Sequence, residues 1–66
     1  MLITLNGESR QIETATTVAG LMEVLGYTGK RIAVERNGDI VPKSRHADTQ
    51  LAEGDKLEVV VAVGGG

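Results

Sequence analysis

Hydrophobic positions alternate at the start of the chain, recur at helical spacing in its first third and run together at its end. Met1, Ile3 and Leu5 share one side of a period-two pattern, with Leu2 and Thr4 on the other, which predicts a strand. Asn6-Gly7 follows, the strongest short hairpin signal, because a type I′ turn needs positive φ at both central residues. The return segment Glu8 to Glu13 has Ile12 as its one aliphatic residue and reads as a polar edge strand. Thr14-Ala15-Thr16-Thr17 then offers N-cap hydroxyls, with Thr17 best placed. Behind it Val18, Leu21, Met22 and Leu25 form a single apolar stripe, and Gly26 stands where a left-handed residue would end the helix. A helix of about nine residues depends on that stripe rather than on propensity. Gly20 interrupts it at a cost of about 1 kcal/mol relative to alanine, and is expected to allow close packing against a sheet.

After a loop at Tyr27 to Lys30, the run Arg31 to Arg36 buries Ile32 and Val34 on one face. A second Asn-Gly pair, Asn37-Gly38, turns the chain into Asp39-Ile40-Val41, and Pro42 ends that piece. Lys43 to Gln50 is polar and irregular, with a helical turn expected around Ser44 to Ala47, and Leu51 anchors the loop to the core. Glu53-Gly54-Asp55 is a turn, and Lys56 to Val63 is the longest strand. Its two faces are both apolar: Leu57, Val59, Val61 and Val63 form one row, Val60 and Ala62 the other. A strand buried on both sides sits in the middle of a sheet, yet one short helix can cover only one face. Scattered exposed aliphatics are ordinary. Val60 and Ala62 lie beside the chain end, however, and with Val63 they are expected to form a partner docking face. The order strand–strand–helix–strand–strand–strand points to an α+β domain of β-grasp type, a mixed sheet of about five strands on one helix. The first and last strands would lie parallel at its centre, with a right-handed crossover. The expected division is a single domain over 1–63 and a flexible glycine tail over 64–66.

Composition narrows the chemistry. A chain of 66 residues buries only about 60% of its unfolded surface, so a deep catalytic cleft would leave little core. With no cysteine, disulfides, thiolate metal sites and thiol nucleophiles are excluded. Seven basic and nine acidic residues are interspersed, and Tyr27 is the one aromatic, which argues against a nucleic-acid surface. No run approaches the ~20 apolar residues of a membrane span, and the N-terminus lacks a signal leader; a soluble cytoplasmic protein is expected. His46 has no second histidine or cysteine as co-ligand and reads as a solvated loop residue. Ser9 and Ser44 have no evident base, and Asp48, Glu53 and Asp55 do not follow calcium-loop spacing. No catalytic residue, metal or bound cofactor is expected. The remaining handle is the α-carboxylate of Gly66, at the end of Gly64-Gly65-Gly66. Glycines can thread a slot that excludes any side chain, and three extended residues reach about 10–11 Å. A carboxylate is a poor electrophile; coupling it to AMP from ATP would let sulfide or an amine attack it.

These residues resemble the ThiS family, the ubiquitin-like sulfur carriers of thiamine biosynthesis, along the whole chain. The resemblance is carried by Leu5-Asn6-Gly7, by Thr17-Val18-Ala19-Gly20-Leu21-Met22 and by Ala33-Val34-Glu35-Arg36-Asn37-Gly38-Asp39-Ile40-Val41-Pro42. Leu51-Ala52-Glu53-Gly54-Asp55-Lys56-Leu57-Glu58-Val59-Val60 and Ala62-Val63-Gly64-Gly65-Gly66 complete it. It implies that a partner adenylyltransferase of ThiF type, akin to the ubiquitin-activating enzymes, uses ATP to adenylate Gly66. Sulfur from a desulfurase pathway would then make a thiocarboxylate, and thiazole synthase would take that sulfur. Gly64, Gly65 and Gly66 would enter the partner's active site. One departure is Gly20, where a glutamate often completes a capping box with Thr17. Three rivals stand beside this reading: a molybdopterin-synthesis sulfur carrier, a ubiquitin-like protein modifier, and an interaction module with an inert tail.

Overall fold

The alternation at the N-terminus builds strand β1, Leu2–Leu5, and Asn6-Gly7 returns the chain as β2, Glu8–Gln11. The computed structural model describes residues 1–62, and Val63, Gly64, Gly65 and Gly66 lie outside the described residues. Leu5 pairs with Glu8, and φ is +50° at Asn6 and +84° at Gly7, as a type I′ loop requires. β2 is exposed along its whole length. It stops short of the expected Glu13 because Ile12 packs against the core and the chain then bends through Ala15, at φ +68°.

Helix α1, Val18–Val24, is capped at both ends by local chemistry. The Thr17 hydroxyl accepts the Gly20 N–H at 3.0 Å. At the other end Tyr27 N–H donates to the Met22 carbonyl and Gly26 N–H to that of Glu23, a Schellman closure with Gly26 at φ +78°. Val18, Leu21 and Met22 are buried as the stripe predicts. Gly20 does not serve close packing on the sheet: a Cβ there would meet only Thr17 Oγ1 at 3.4 Å and Thr16 Cγ2 at 3.7 Å. It lies on the helix flank beside its own N-cap, so its glycine is not explained by sheet contact.

Strand β3, Ile32–Arg36, turns at Asn37-Gly38 into the short β4, Asp39–Ile40. A 3₁₀ turn over Lys43–Arg45 follows directly on Pro42, slightly earlier than the expected Ser44 to Ala47, because proline at φ −59° already points the chain into it. The segment after it returns to the helix N-terminus. Val18 N–H donates to the Thr49 carbonyl and Ala19 N–H to that of His46, both at 2.9 Å. These bonds satisfy donors that the first turn of a helix leaves unpaired. Leu51 then enters the core. Strand β5, Lys56–Val61, completes a five-stranded sheet in the order β2-β1-β5-β3-β4. β1 and β5 are parallel at its centre, and the other pairings are antiparallel. Ile3, Val34, Leu57 and Val59 meet Val18, Leu21, Met22 and Leu51 in one aliphatic core between sheet and helix. This is the β-grasp arrangement that the element order predicts.

Candidate functional site

β5 runs from an anchored beginning to an end that precedes Gly64-Gly65-Gly66 in the sequence. At the beginning, Asp55 is only 6% exposed. Its carboxylate accepts from Arg36 Nε at 2.8 Å, from Asn37 Nδ2 at 3.1 Å and from the Ala52 N–H at 2.8 Å. Burial pushes this carboxyl upward, but the Ala52, Arg36 and Asn37 hydrogen bonds and the Arg36 charge outweigh it and hold its pKa below the ordinary 3.8. The two hairpin asparagines then grip β5 from opposite sides. Asn37 Oδ1 accepts the Lys56 N–H at 2.9 Å. Asn6 Oδ1 accepts the Val59 N–H at 2.8 Å while its Nδ2 donates to the Val59 carbonyl at 3.2 Å. The Asn6 amide thus stands in for a peptide group where β1 has ended. The sequence marks both asparagines as turn formers; their second role depends on the sheet order and has no signal in the chain itself.

At the far end of β5 the two faces differ. Leu57 and Val59 point into the core, whereas Val60 is 64% exposed and Ala62 is also exposed. Both predicted docking residues therefore lie on the uncovered face, and their companion Val63 is outside the described residues. Val60 is paired with the exposed Ala33 of β3, which enlarges the apolar strip. One step back along the strands Glu35 faces Glu58. Like charges directly opposite each other on a sheet oppose pairing, so these two carboxylates give the strip an acidic border at some cost. Ala33, Glu35 and Glu58 were not distinguishable as surface partners from sequence, since only the β3–β5 register brings them to Val60. The strip continues toward the chain end through Ala62, whose N–H donates to the Arg31 carbonyl at 2.8 Å.

Elsewhere the candidate chemistry is structural. His46 is not a solvated loop residue: it is 8% exposed, with Nε2 at 3.0 Å from the Val41 carbonyl. A carbonyl can only accept, so the proton sits on Nε2 and the ring fastens the 3₁₀ turn to the end of the β3–β4 hairpin. Glu53 accepts the Leu2 N–H through both carboxylate oxygens, at 3.1 and 3.2 Å, and braces the edge of β1. Among the described residues no three metal-ligating side chains gather. No helix among them is long and apolar enough to cross a membrane.

Comparison with known proteins agrees with this architecture. Residues 3–66 match the family model described as the ThiS family. The sulfur carrier protein ThiS of Bacillus subtilis is 33% identical over 66 residues, covering 98% of this chain and 100% of the relative. A thiazole synthase of Paramagnetospirillum magneticum is 46% identical over 66 residues, covering 100% of this chain. The chain spans only 20% of the length of that synthase and of a second thiazole synthase that it matches. The crystal structure of the thiamine biosynthesis protein ThiS of Geobacter metallireducens superposes with a TM-score of 0.81 over 100% of both chains, at 28% identity.

Proposed function

This chain belongs to the ThiS family, and on that premise we propose that it carries sulfur for assembly of the thiamine thiazole ring. The observation that carries the reading is the bare apolar strip of Val60, Ala33 and Ala62, on a strand that comes just before Gly64-Gly65-Gly66 in the sequence. A surface of that kind docks on a partner, and the glycines that follow fit a slot too narrow for side chains. In the proposed cycle an adenylyltransferase binds the strip, with Val63 completing it. An oxygen of the Gly66 carboxylate attacks the α-phosphorus of ATP, and pyrophosphate leaves. The carboxylate is now a mixed anhydride with AMP as leaving group. Hydrosulfide, released from the desulfurase pathway's persulfide by a thiol reductant, attacks the acyl carbon and displaces AMP, leaving a thiocarboxylate on Gly66. Thiazole synthase then accepts the sulfur, in the cytoplasm. ATP belongs to the partner's reaction, and this chain serves as co-substrate rather than catalyst.

The test is an intact mass of the protein isolated from cells that express the pathway. Replacing one terminal oxygen by sulfur adds about 16 Da. We expect that shift, and its absence in the presence of active partner enzymes would overturn the sulfur-carrier reading.

A further inference from the structure

A second concave surface lies away from the bare sheet face, between α1 and the 3₁₀ turn. It is an open groove of about 300 Å³ with the buried Met22, the half-buried Ala19 and Ile32 and the exposed Ala47 among its apolar lining. Its rim carries Tyr27 and two lysines, Lys30 and Lys43, with Glu23 as the opposing charge. In a chain of net charge −2 this is a locally cationic rim. Among the described residues the one ion pair is Arg36–Asp55, so neither lysine is engaged.

We propose that this groove receives a segment of a partner protein that presents one large apolar side chain flanked by carboxylates. Charge decides the flanks, since Lys30 and Lys43 suit anions and outnumber Glu23, the one carboxylate in the lining. Size decides the anchor. Enclosed small-molecule sites run from about 300 to 1,000 Å³ and bury most of the ligand; an open groove at the lower limit suits a single side chain delivered on a backbone. Position adds a third argument. Ile32, part of the lining, pairs with Val61, and the Arg31 carbonyl beside it accepts from the Ala62 N–H at 2.8 Å. A protein that handles the chain end therefore has the groove within its reach. This last argument rests on the proposed carrier function; the charge and size arguments do not.

The test is a titration of the isotope-labelled protein with the acetylated, amidated peptide Glu-Asp-Leu-Phe-Glu, followed by amide chemical shifts. We expect saturable shifts at Tyr27, Lys30, Ile32 and Ala47. The double variant Lys30→Glu with Lys43→Glu alters two exposed side chains and is expected to keep a native amide spectrum. It should bind the peptide about tenfold more weakly, as loss of two favourable charge contacts implies. Raising the salt concentration should weaken wild-type binding. Absence of saturable shifts, or equal binding of Lys-Lys-Leu-Phe-Lys, would overturn the proposal. A missing thiocarboxylate with intact peptide binding would remove the carrier reading and leave the groove in place; the reverse result would do the opposite.

Discussion

The two ends of β5 are built on opposite principles. At Asp55 and Lys56 side-chain bonds fix the strand: Arg36, Asn37 and the nearby Ala52 N–H serve the carboxylate, and Asn37 serves the Lys56 N–H. At Val60 and Ala62 the side chains are exposed, and no helix among the described residues covers them. Between them, Asn6 holds Val59 through both its N–H and its carbonyl. The side-chain grip therefore stops where the exposed strip begins, and beyond it β5 is held by backbone pairing with β3 and by the Ala62 N–H on the Arg31 carbonyl. In the proposed carrier role the fold must persist while the chain end is drawn into another protein, and this division would separate the two tasks. Polar bonds fix the beginning, because buried donors and acceptors are costly to leave unmade. The end keeps apolar surface uncovered, and in the proposed function a docked partner would bury it.

Substitutions at each end should break the comparison in different ways. The largest expected effect is functional. Deleting Gly66, or replacing Gly65 by valine, should abolish adenylate formation by the partner enzyme while the unfolding midpoint stays put. Normal adenylation of either variant in a pyrophosphate-release assay would refute a role for the tail. Next comes Asp55→Ala, which strands Arg36, the Asn37 amide and the Ala52 N–H. A loss of about 2–4 kcal/mol is expected in urea unfolding, since a buried charged acceptor with several donors is removed. The pH dependence follows from the same group. Its folded pKa lies below the ordinary 3.8, so its contribution is complete above that value and disappears as pH falls through the lowered one. Asp55→Ala should accordingly flatten the acid limb of the stability curve below pH ~4.

Smaller effects sharpen the boundary between the two regions. Asn6→Gly keeps the positive φ that the turn needs but removes both bonds to Val59. It should cost about 1–2 kcal/mol and speed hydrogen exchange at Val59. An unchanged stability would mean that the amide grip is decorative. The smallest stability effect is expected for Val60→Lys, within about 0.5 kcal/mol of wild type, as for most surface changes. Its consequence should appear in partner affinity, measured by calorimetry against the adenylyltransferase. A variant that unfolds instead would show that Val60 is part of the core.

Much of this architecture was legible because short-range chemistry and side-chain period agree. The two Asn-Gly pairs can hardly do anything but turn, and the Val18, Leu21, Met22 stripe can hide only against a sheet. Thr17 and Gly26 mark the helix ends through bonds made within a few residues, which is why both caps appear where the sequence places them. Other features were illegible for an equally physical reason. His46 looked like a loop residue because nothing in Ser44 to Ala47 reveals that Val41 and the helix close over it. The supposed sheet contact of Gly20 failed because helical period alone does not say how the flank of α1 is seated. Strand ends at Gln11 and Val61 depended on where partners stop, which is a property of the sheet and not of the strand.

The sequence by itself determined the elements, their order, the aliphatic core and the glycines that end the chain, since each follows from side-chain period, turn chemistry or composition. Only the tertiary structure decided which groups meet: Asp55 with Arg36 and Asn37, Asn6 with Val59, Glu35 with Glu58, Val60 with Ala33. These pairings join residues that the chain separates by as many as 53 positions. Long-range register emerges from the packing of the whole sheet on one helix, and no local pattern encodes it.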